Sequence, residues 1–106
     1  MFLGNPANLG DIPQGTSRPC TVTVTPWTDY TVGMGVNWQP IEGDFGGIGI
    51  EIPGGIPPPP QTFGMKINVS PGAQPGVRKM DIWVADGGLG KDFRCQVTFN
   101  VIEPPP

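Results

Sequence analysis

An alternation of apolar and polar residues with a period of two constrains this chain more than any other feature. The stretch CTVTVTP, for example, puts Cys20, Val22 and Val24 on one face and threonines on the other. Such a pattern is typical of a β-strand that buries one face and exposes the other. No window keeps the spacing of an amphipathic helix for two turns without a glycine or a proline. The chain is therefore predicted to be all-β.

Six stretches show this alternation, and each predicts one strand with an inward row of apolar side chains. A further edge strand is expected from residues 9–14, because Pro13 has no N–H to donate to a neighbouring strand. The predicted inward rows are Cys20, Val22 and Val24; Tyr30, Val32, Met34, Val36 and Trp38; Ile48, Ile50 and Ile52; Phe63, Met65, Ile67 and Val69; Met80, Ile82 and Val84; and Phe93, Cys95, Val97, Phe99 and Val101.

Glycine and proline separate these strands. The chain has 17 glycines and 15 prolines among its 106 residues, a content that can signal disorder. Here they cluster in turns between the alternating stretches, about ten residues or more apart, and this rhythm predicts an antiparallel β-sandwich. The run IPPPP at 56–60 is expected to form a short, stiff polyproline II segment.

The length of the chain predicts one domain. We expect an extended N-terminal arm over residues 1–14, the sandwich over residues 15–103 and a proline-rich tail over residues 104–106. Both ends are too short to bury much surface on their own, so neighbouring molecules in an assembly are expected to hold them.

Charge and missing residue types exclude several functions. The nine acids and six scattered bases give a net charge of −3, which argues against a nucleic-acid partner. No run has the length and polarity of a signal peptide or a membrane span. The chain has no histidine, P-loop or CxxC motif, so we expect no enzyme, cofactor or metal site. Glu42, Asp44 and Glu51 are interpreted as solvated acids of turns and outer faces rather than as a catalytic or calcium-binding set.

The two cysteines leave two interpretations open. Cys20 and Cys95 both stand at inward positions, 75 residues apart. They are interpreted as buried reduced thiols, which are common in protein cores. A disulfide is the alternative, and it would close a long loop.

Two tryptophans are candidates for contact with a partner. Trp83 falls on the outward row of its strand, beside Asp81. It is interpreted either as covering Gly33 or Gly35 of a neighbouring strand or as part of a flat contact patch. Trp27 follows a proline in a turn, where it either closes one end of the core or stacks on a sugar.

The order of these signals resembles bacterial and viral immunoglobulin-like modules. The resemblance rests on PQGTSRPCTVTVTP, INVSPGAQPGVRKMDIWVADGG and CQVTFNV, and it covers residues 13–102. It implies an immunoglobulin-like antiparallel β-sandwich of about seven strands with extended proline-rich termini, in which strands at 30–38, 77–86 and 93–102 share one sheet with 77–86 in the middle. Arg78 departs from the pattern, since an aromatic residue usually stands there.

Modules of this kind are familiar as decoration, or cement, proteins on phage heads, and the resemblance implies such a role here. We expect a non-enzymatic virion protein on the capsid surface that binds the major capsid protein or neighbouring structural subunits and stabilises the shell. A homo-oligomer is expected, with a trimer as one option, and neither nucleic acid nor membrane is expected as a partner. The predicted contact residues are Phe2, Leu3, Trp27, Trp83, Pro57, Pro58, Pro59 and Pro60.

Two other functions stay open. An extracellular carbohydrate- or cell-surface-binding immunoglobulin-like module would use Trp27, Asp29 and Tyr30. A strand-donating filament subunit would instead use residues 1–14 to complete the sheet of a neighbour.

Overall fold

The computed structural model describes residues 2–4, 8–25, 33–58, 60–86 and 91–104. These residues form strands and connections without any helix, so none of them belongs to a helix that could span a bilayer. The strands are β1 (Phe2–Gly4), β2 (Asn8–Pro13), β3 (Ser17–Thr25), β4 (Met34–Glu42), β5 (Ile48–Glu51), β6 (Gly55–Ile56), β7 (Gln61–Val69), β8 (Gly76–Asp86) and β9 (Lys91–Ile102).

The nine strands form two sheets, in the orders β1-β3-β7-β5 and β2-β9-β8-β4-β6. Strands β1 and β6 have only three and two residues, and the other seven match the predicted number. The all-β sandwich expected from the sequence is confirmed. The sheet predicted from the family resemblance is confirmed as well, because β8 lies between β4 and β9.

The core consists mainly of the predicted inward rows, joined by Ile12, Ile56 and Ala73. Members of β3, β4, β7, β8 and β9 form one cluster of buried apolar side chains, and Cys20, Trp38, Ile48, Ile50, Ile52 and Cys95 pack against it partly buried. Tyr30 and Val32 lie outside the described residues. The buried members from the predicted rows are Val22, Val24, Met34, Val36, Phe63, Met65, Ile67, Val69, Met80, Ile82, Val84, Val97, Phe99 and Val101.

Aromatic rings extend this core towards the connection between β4 and β5. The ring of Phe45, in that connection, lies 5.7 Å from the ring of Trp38 and 6.0 Å from the ring of Phe99. The contact with Phe99 is edge-on, a favourable geometry for two aromatic rings. These two ring contacts attach the connection to an inward side chain of β4 and to one of β9.

Residues 2–4 and 8–13 pair with strands of the sandwich. Strand β1 pairs with β3 in one sheet, while β2 pairs with β9 at the edge of the other and buries Ile12. The edge strand predicted over residues 9–14 is thus confirmed, and Pro13 is its last residue. Of the segment that a strand-donating subunit would offer to a neighbour, the described strands β1 and β2 are paired within their own chain.

Strand β2 runs parallel to β9, although the sequence predicts an antiparallel sandwich. The reason is the short turn between β2 and β3, which crosses from one sheet to the other. Gln14 donates a backbone hydrogen bond to Ile102 and Gly15 donates one to Val69, so the turn lies where β9 and β7 end. Because β2 and β9 both end at this turn, they point the same way.

Strand β4 continues to Glu42, four residues beyond its predicted end at residue 38. It passes through Pro40, which lies opposite Met80 next to a register shift. A proline is tolerated at such an irregularity because the regular ladder is already broken there. The short β6 covers only the beginning of β4, since its pairs involve Met34 and Gly35.

The proline segment begins directly after β6. Ile56 is buried and fixes the segment to the core, while Pro57, Pro58 and Pro60 are exposed. At the other end of the chain, β9 stops at Ile102, and Glu103 and Pro104 are exposed outside any strand.

Candidate functional site

The outward-facing side chains of β4, β8 and β9 form a surface that we call the outer face. Its members come from the strand positions that alternate with the buried rows. Because these three strands are neighbours in the five-stranded sheet, their outward residues stand in rows across it. The outer face comprises Asn37, Gln39, Val77, Lys79, Asp81, Trp83, Arg94, Gln96 and Thr98.

Trp83 is half-buried, and a side chain of the neighbouring strand β9 contacts its ring. The guanidinium carbon of Arg94 lies 5.0 Å from the centre of the Trp83 ring, a cation–π distance. Arg94 also donates to the carboxylate of Asp81, with 3.5 Å between Nη1 and Oδ2. The three side chains therefore form one cluster across β8 and β9.

The register changes the expected position of Trp83 relative to the glycines. Its direct partners are Asn37 on β4 and Arg94 on β9, whereas Gly35 lies opposite Ala85, one row away. Contrary to the prediction from the sequence, Trp83 therefore does not lie directly opposite a glycine. A tryptophan on the outer face is instead held by a cation on the neighbouring strand.

Uncharged amides surround this cluster. Asn37 stands beside Trp83, and Gln39 and Gln96 flank Asp81 in the next row. All three amide residues are exposed. This end of the outer face, which we call the polar end, thus combines an aromatic ring with groups that both donate and accept hydrogen bonds.

Two large apolar side chains are exposed towards the opposite end of the sheet. Val77 is 55% exposed near the start of β8, and Ile41 is 46% exposed near the end of β4; they are the exposed large hydrophobic residues of the described chain. Between these two side chains along the strands, the Nζ of Lys79 lies 3.8 Å from the Glu42 carboxylate. We call Ile41 and Val77 the apolar end.

Arg78 is the described chain's one buried charged side chain, with 3% of its surface exposed. Its guanidinium donates to the backbone oxygens of Asp44, Gln74 and Gly76. Asp44 lies in the connection between β4 and β5, Gln74 lies in the connection between β7 and β8, and Gly76 is the first residue of β8. Arg78 therefore joins the two connections. The sequence marked Arg78 only as a departure from the family pattern and did not predict its burial or its partners.

Both cysteines are free and half-buried in the structure, as the first of the two interpretations predicts. Burial raises the pKa of the Cys20 thiol. The pKa of Cys95 is raised first by burial and then by the charges of Cys20 and Asp81. A thiol with a raised pKa is a poor nucleophile at neutral pH, so neither cysteine has the environment of a reactive thiol.

The acids considered for catalysis or calcium serve local structure. Asp44 accepts the backbone N–H of Gly46 at 2.8 Å, which fixes a turn. In the four-stranded sheet, the Glu51 carboxylate accepts from the Asn68 amide and lies 4.0 Å from the Nζ of Lys66 on the neighbouring strand. The described residues contain no group of three or more acids or cysteines that could hold a metal ion.

The four-stranded sheet carries a shallow open groove of about 640 Å³. Gly64 lies at its floor, and no atom lies within 4 Å of the place where a Cβ would stand. The ion pair between Lys66 and Glu51 lies along one side, and Pro19 and Thr21 lie along the other. Its lining is mainly apolar and has no converging set of polar groups.

The structure separates the predicted contact residues. Trp83 lies on the outer face, and Pro57, Pro58 and Pro60 are exposed in the segment after β6. Phe2 and Leu3 lie in β1, whose backbone pairs with Thr25 and Val24 of β3. Trp27, Asp29, Tyr30 and Pro59 lie outside the described residues.

The fold and the outer face define a β-sandwich module. No family model matches the chain, and no curated protein matches it. The fold is similar to part of a chain from the structure described as "The details of glycolipid glycan hydrolysis by the structural analysis of a family 123 glycoside hydrolase from Clostridium perfringens". The TM-score is 0.61 at 12% identity, over 92% of this chain and 23% of that chain. At this identity the likeness shows the fold alone.

Proposed function

We propose that this chain is a non-enzymatic structural protein of a larger assembly, a decoration protein that binds the outside of a phage head and stabilises the shell. The proposal combines the family resemblance with the chemistry of the outer face. Modules of the family it resembles serve as decoration proteins, and the fold is the one that the resemblance implies.

The apolar end carries this proposal. A β-sandwich of this size gains most of its stability by burying apolar side chains, yet Ile41 and Val77 are about half exposed where β4 ends and β8 begins. Exposed apolar side chains with polar residues among them are typical of protein–protein contact sites. The Lys79–Glu42 ion pair lies between Ile41 and Val77 along the strands and supplies such polar groups.

The rest of the surface agrees with a role in contact. Charged residues make up only 14% of the chain, a low fraction for a surface that faces water alone. The exposed Pro57, Pro58 and Pro60 have little conformational freedom to lose when they dock against a neighbour.

Binding to shells tests the proposal. The genes beside that of this chain are first searched for a major capsid gene. The purified chain is then mixed with empty shells assembled from that capsid protein, and the shells are sedimented. We expect the chain to sediment with the shells and to raise the temperature at which they fall apart. A chain that stays in the supernatant at every ratio contradicts the proposal.

Two variants locate the contact. Val77→Asp and Ile41→Asp each place a charge at the apolar end and are expected to weaken shell binding by about tenfold or more. Thr21→Asp is the matched control, because Thr21 is exposed on the outer side of the four-stranded sheet. Equal binding by Val77→Asp and Thr21→Asp would place the contact elsewhere and remove the observation on which the proposal rests.

A further inference from the structure

We propose that the polar end of the outer face is a binding site for a neutral glycan. The inference goes beyond the assembly role and does not depend on it, because the two ends of the outer face use different residues. The site would consist of Asn37, Gln39, Asp81, Trp83, Arg94 and Gln96.

The aromatic ring is the first argument. A pyranose presents a face of C–H groups, and a partly exposed indole is the protein surface on which such a face stacks. Trp83 is only half-buried, and the Arg94 guanidinium lies over one face of its ring. A sugar would therefore stack on the exposed part of the indole that Arg94 does not cover. The side chain of Arg94 is itself 46% exposed at the border of the ring.

The surrounding amides are the second argument. Sugar hydroxyls donate and accept hydrogen bonds, and side-chain amides do both as well. Asn37 faces Trp83 directly across the strands, and Gln39 and Gln96 stand one row away on either side. Neighbouring strands lie about 4.8 Å apart and rows on one face about 7 Å apart, which is the scale of one or two sugar rings.

The space beside the indole is the third argument. Gly35 stands one row from Trp83 and has no side chain to fill the outer face. The nearest atom to a Cβ built on Gly35 is the backbone oxygen of Gly54, 4.0 Å away, and no described side chain lies within that distance. A ring that stacks on Trp83 can therefore extend over Gly35 without displacing a side chain.

The balance of charge selects a neutral ligand. Each of the two cations described on this face forms an ion pair with a carboxylate. Arg94 pairs with Asp81, and Lys79 pairs with Glu42. The whole chain carries a net charge of −3. An acidic glycan would meet no uncompensated positive charge here, whereas a neutral glycan needs only hydrogen bonds and the aromatic ring.

An NMR titration tests the site. The ¹⁵N-labelled full chain is titrated with neutral hexasaccharides of glucose, mannose, xylose and galactose, and with oligogalacturonate as the acidic probe. At least one neutral probe is expected to shift the Trp83 indole signal and the side-chain amides of Asn37, Gln39 and Gln96. Oligogalacturonate is expected to bind at least about tenfold more weakly. No shift with any neutral probe at 10 mM, or a preference for the acidic probe, overturns the proposal.

Substitutions then assign the binding. Trp83→Ala is expected to weaken the best neutral probe about tenfold or more. Asn37→Ala and Gln39→Ala, which change exposed side chains and leave the core untouched, are each expected to weaken it severalfold. Thr21→Ala is the control and should bind as the unchanged chain does. Unchanged binding by both amide variants, or shifts that map to the groove beside Thr21, would assign the glycan to another surface and overturn the proposal.

Discussion

Arg78 donates a hydrogen bond to the backbone oxygen of Asp44, 34 positions earlier in the chain. The same guanidinium donates to the backbone oxygens of Gln74 and Gly76. One side chain thus satisfies carbonyls from the connection before β5, from the connection before β8 and from the first residue of β8. The loop carbonyls supply hydrogen-bond partners that water would otherwise provide for a buried charge.

Replacing Arg78 should therefore destabilise the fold. Arg78→Met leaves three carbonyls without their donor, and we expect a loss of about 3 kcal/mol in the free energy of unfolding. Arg18→Met is the matched control: Arg18 donates to the backbone oxygens of Leu9 and Asp11 but is exposed, and water can replace it. Urea unfolding measures both, and equal losses would contradict the special position of Arg78.

The centre of the core should be sensitive to the loss of volume. Ile82 is fully buried in the middle of β8, and Ile82→Ala is expected to cost about 2 to 5 kcal/mol through lost burial and a cavity. Val77→Ala on the same strand changes a side chain that is half exposed, and its effect should stay within about 0.5 kcal/mol. Thermal and urea unfolding of the two variants separate the buried row from the outward row. Similar losses for both would contradict the assignment of the faces.

The contact between Trp83 and Arg94 should appear as a coupling. A double-mutant cycle with Trp83→Leu and Arg94→Met is expected to give about 0.5 to 1 kcal/mol, the range for a cation–π pair near the surface. Measuring the cycle at low and high salt tests the part of Arg94's role that depends on Asp81. Additive effects of the two substitutions would show that the ring and the guanidinium do not interact.

Because of its two thiols, we expect the free energy of unfolding of the chain to decrease as the pH becomes alkaline. The pKa of both Cys20 and Cys95 is raised in the folded chain, mainly by burial. The folded state therefore holds its thiol protons to a higher pH than the unfolded state. This contribution is fully present below the unfolded thiol pKa of about 8.5 and is lost as pH rises through the folded pKa.

Urea unfolding between pH 7.5 and pH 10 measures this decline. The Cys20→Ala, Cys95→Ala double variant is the control, since tyrosine and lysine titrate in both proteins while the thiols titrate in only one. We expect a steeper decline for the unchanged chain than for the double variant. Parallel curves would show that the thiol pKa values do not differ between the folded and unfolded states.

The inward rows could be predicted from the sequence because apolar and polar residues alternate with a period of two in every long strand. Met80, Ile82 and Val84 illustrate this, since their alternation alone assigns them to the core. The middle position of β8 followed from the family resemblance. Neither source predicted that β2 runs parallel to β9, because that depends on where the turn after Pro13 crosses between the sheets.

The candidate site could be predicted only in part. Trp83 was found because a tryptophan on an outward row is conspicuous. Its neighbours Asn37 and Arg94 come from strands distant in sequence, and only the register joins them. The exposure of Ile41 depends on the continuation of β4 through Pro40, which the turn signals of the sequence argue against.

A dilution series followed by NMR tests most directly whether this sandwich acts through contact at its apolar end. Spectra of the ¹⁵N-labelled chain are recorded from millimolar to low micromolar concentration, alone and with empty shells. We expect the signals of Ile41 and Val77 and their neighbours to shift or broaden with concentration or with shells, and Val77→Asp to abolish the change. Signals at the apolar end that stay constant under both conditions would contradict the account.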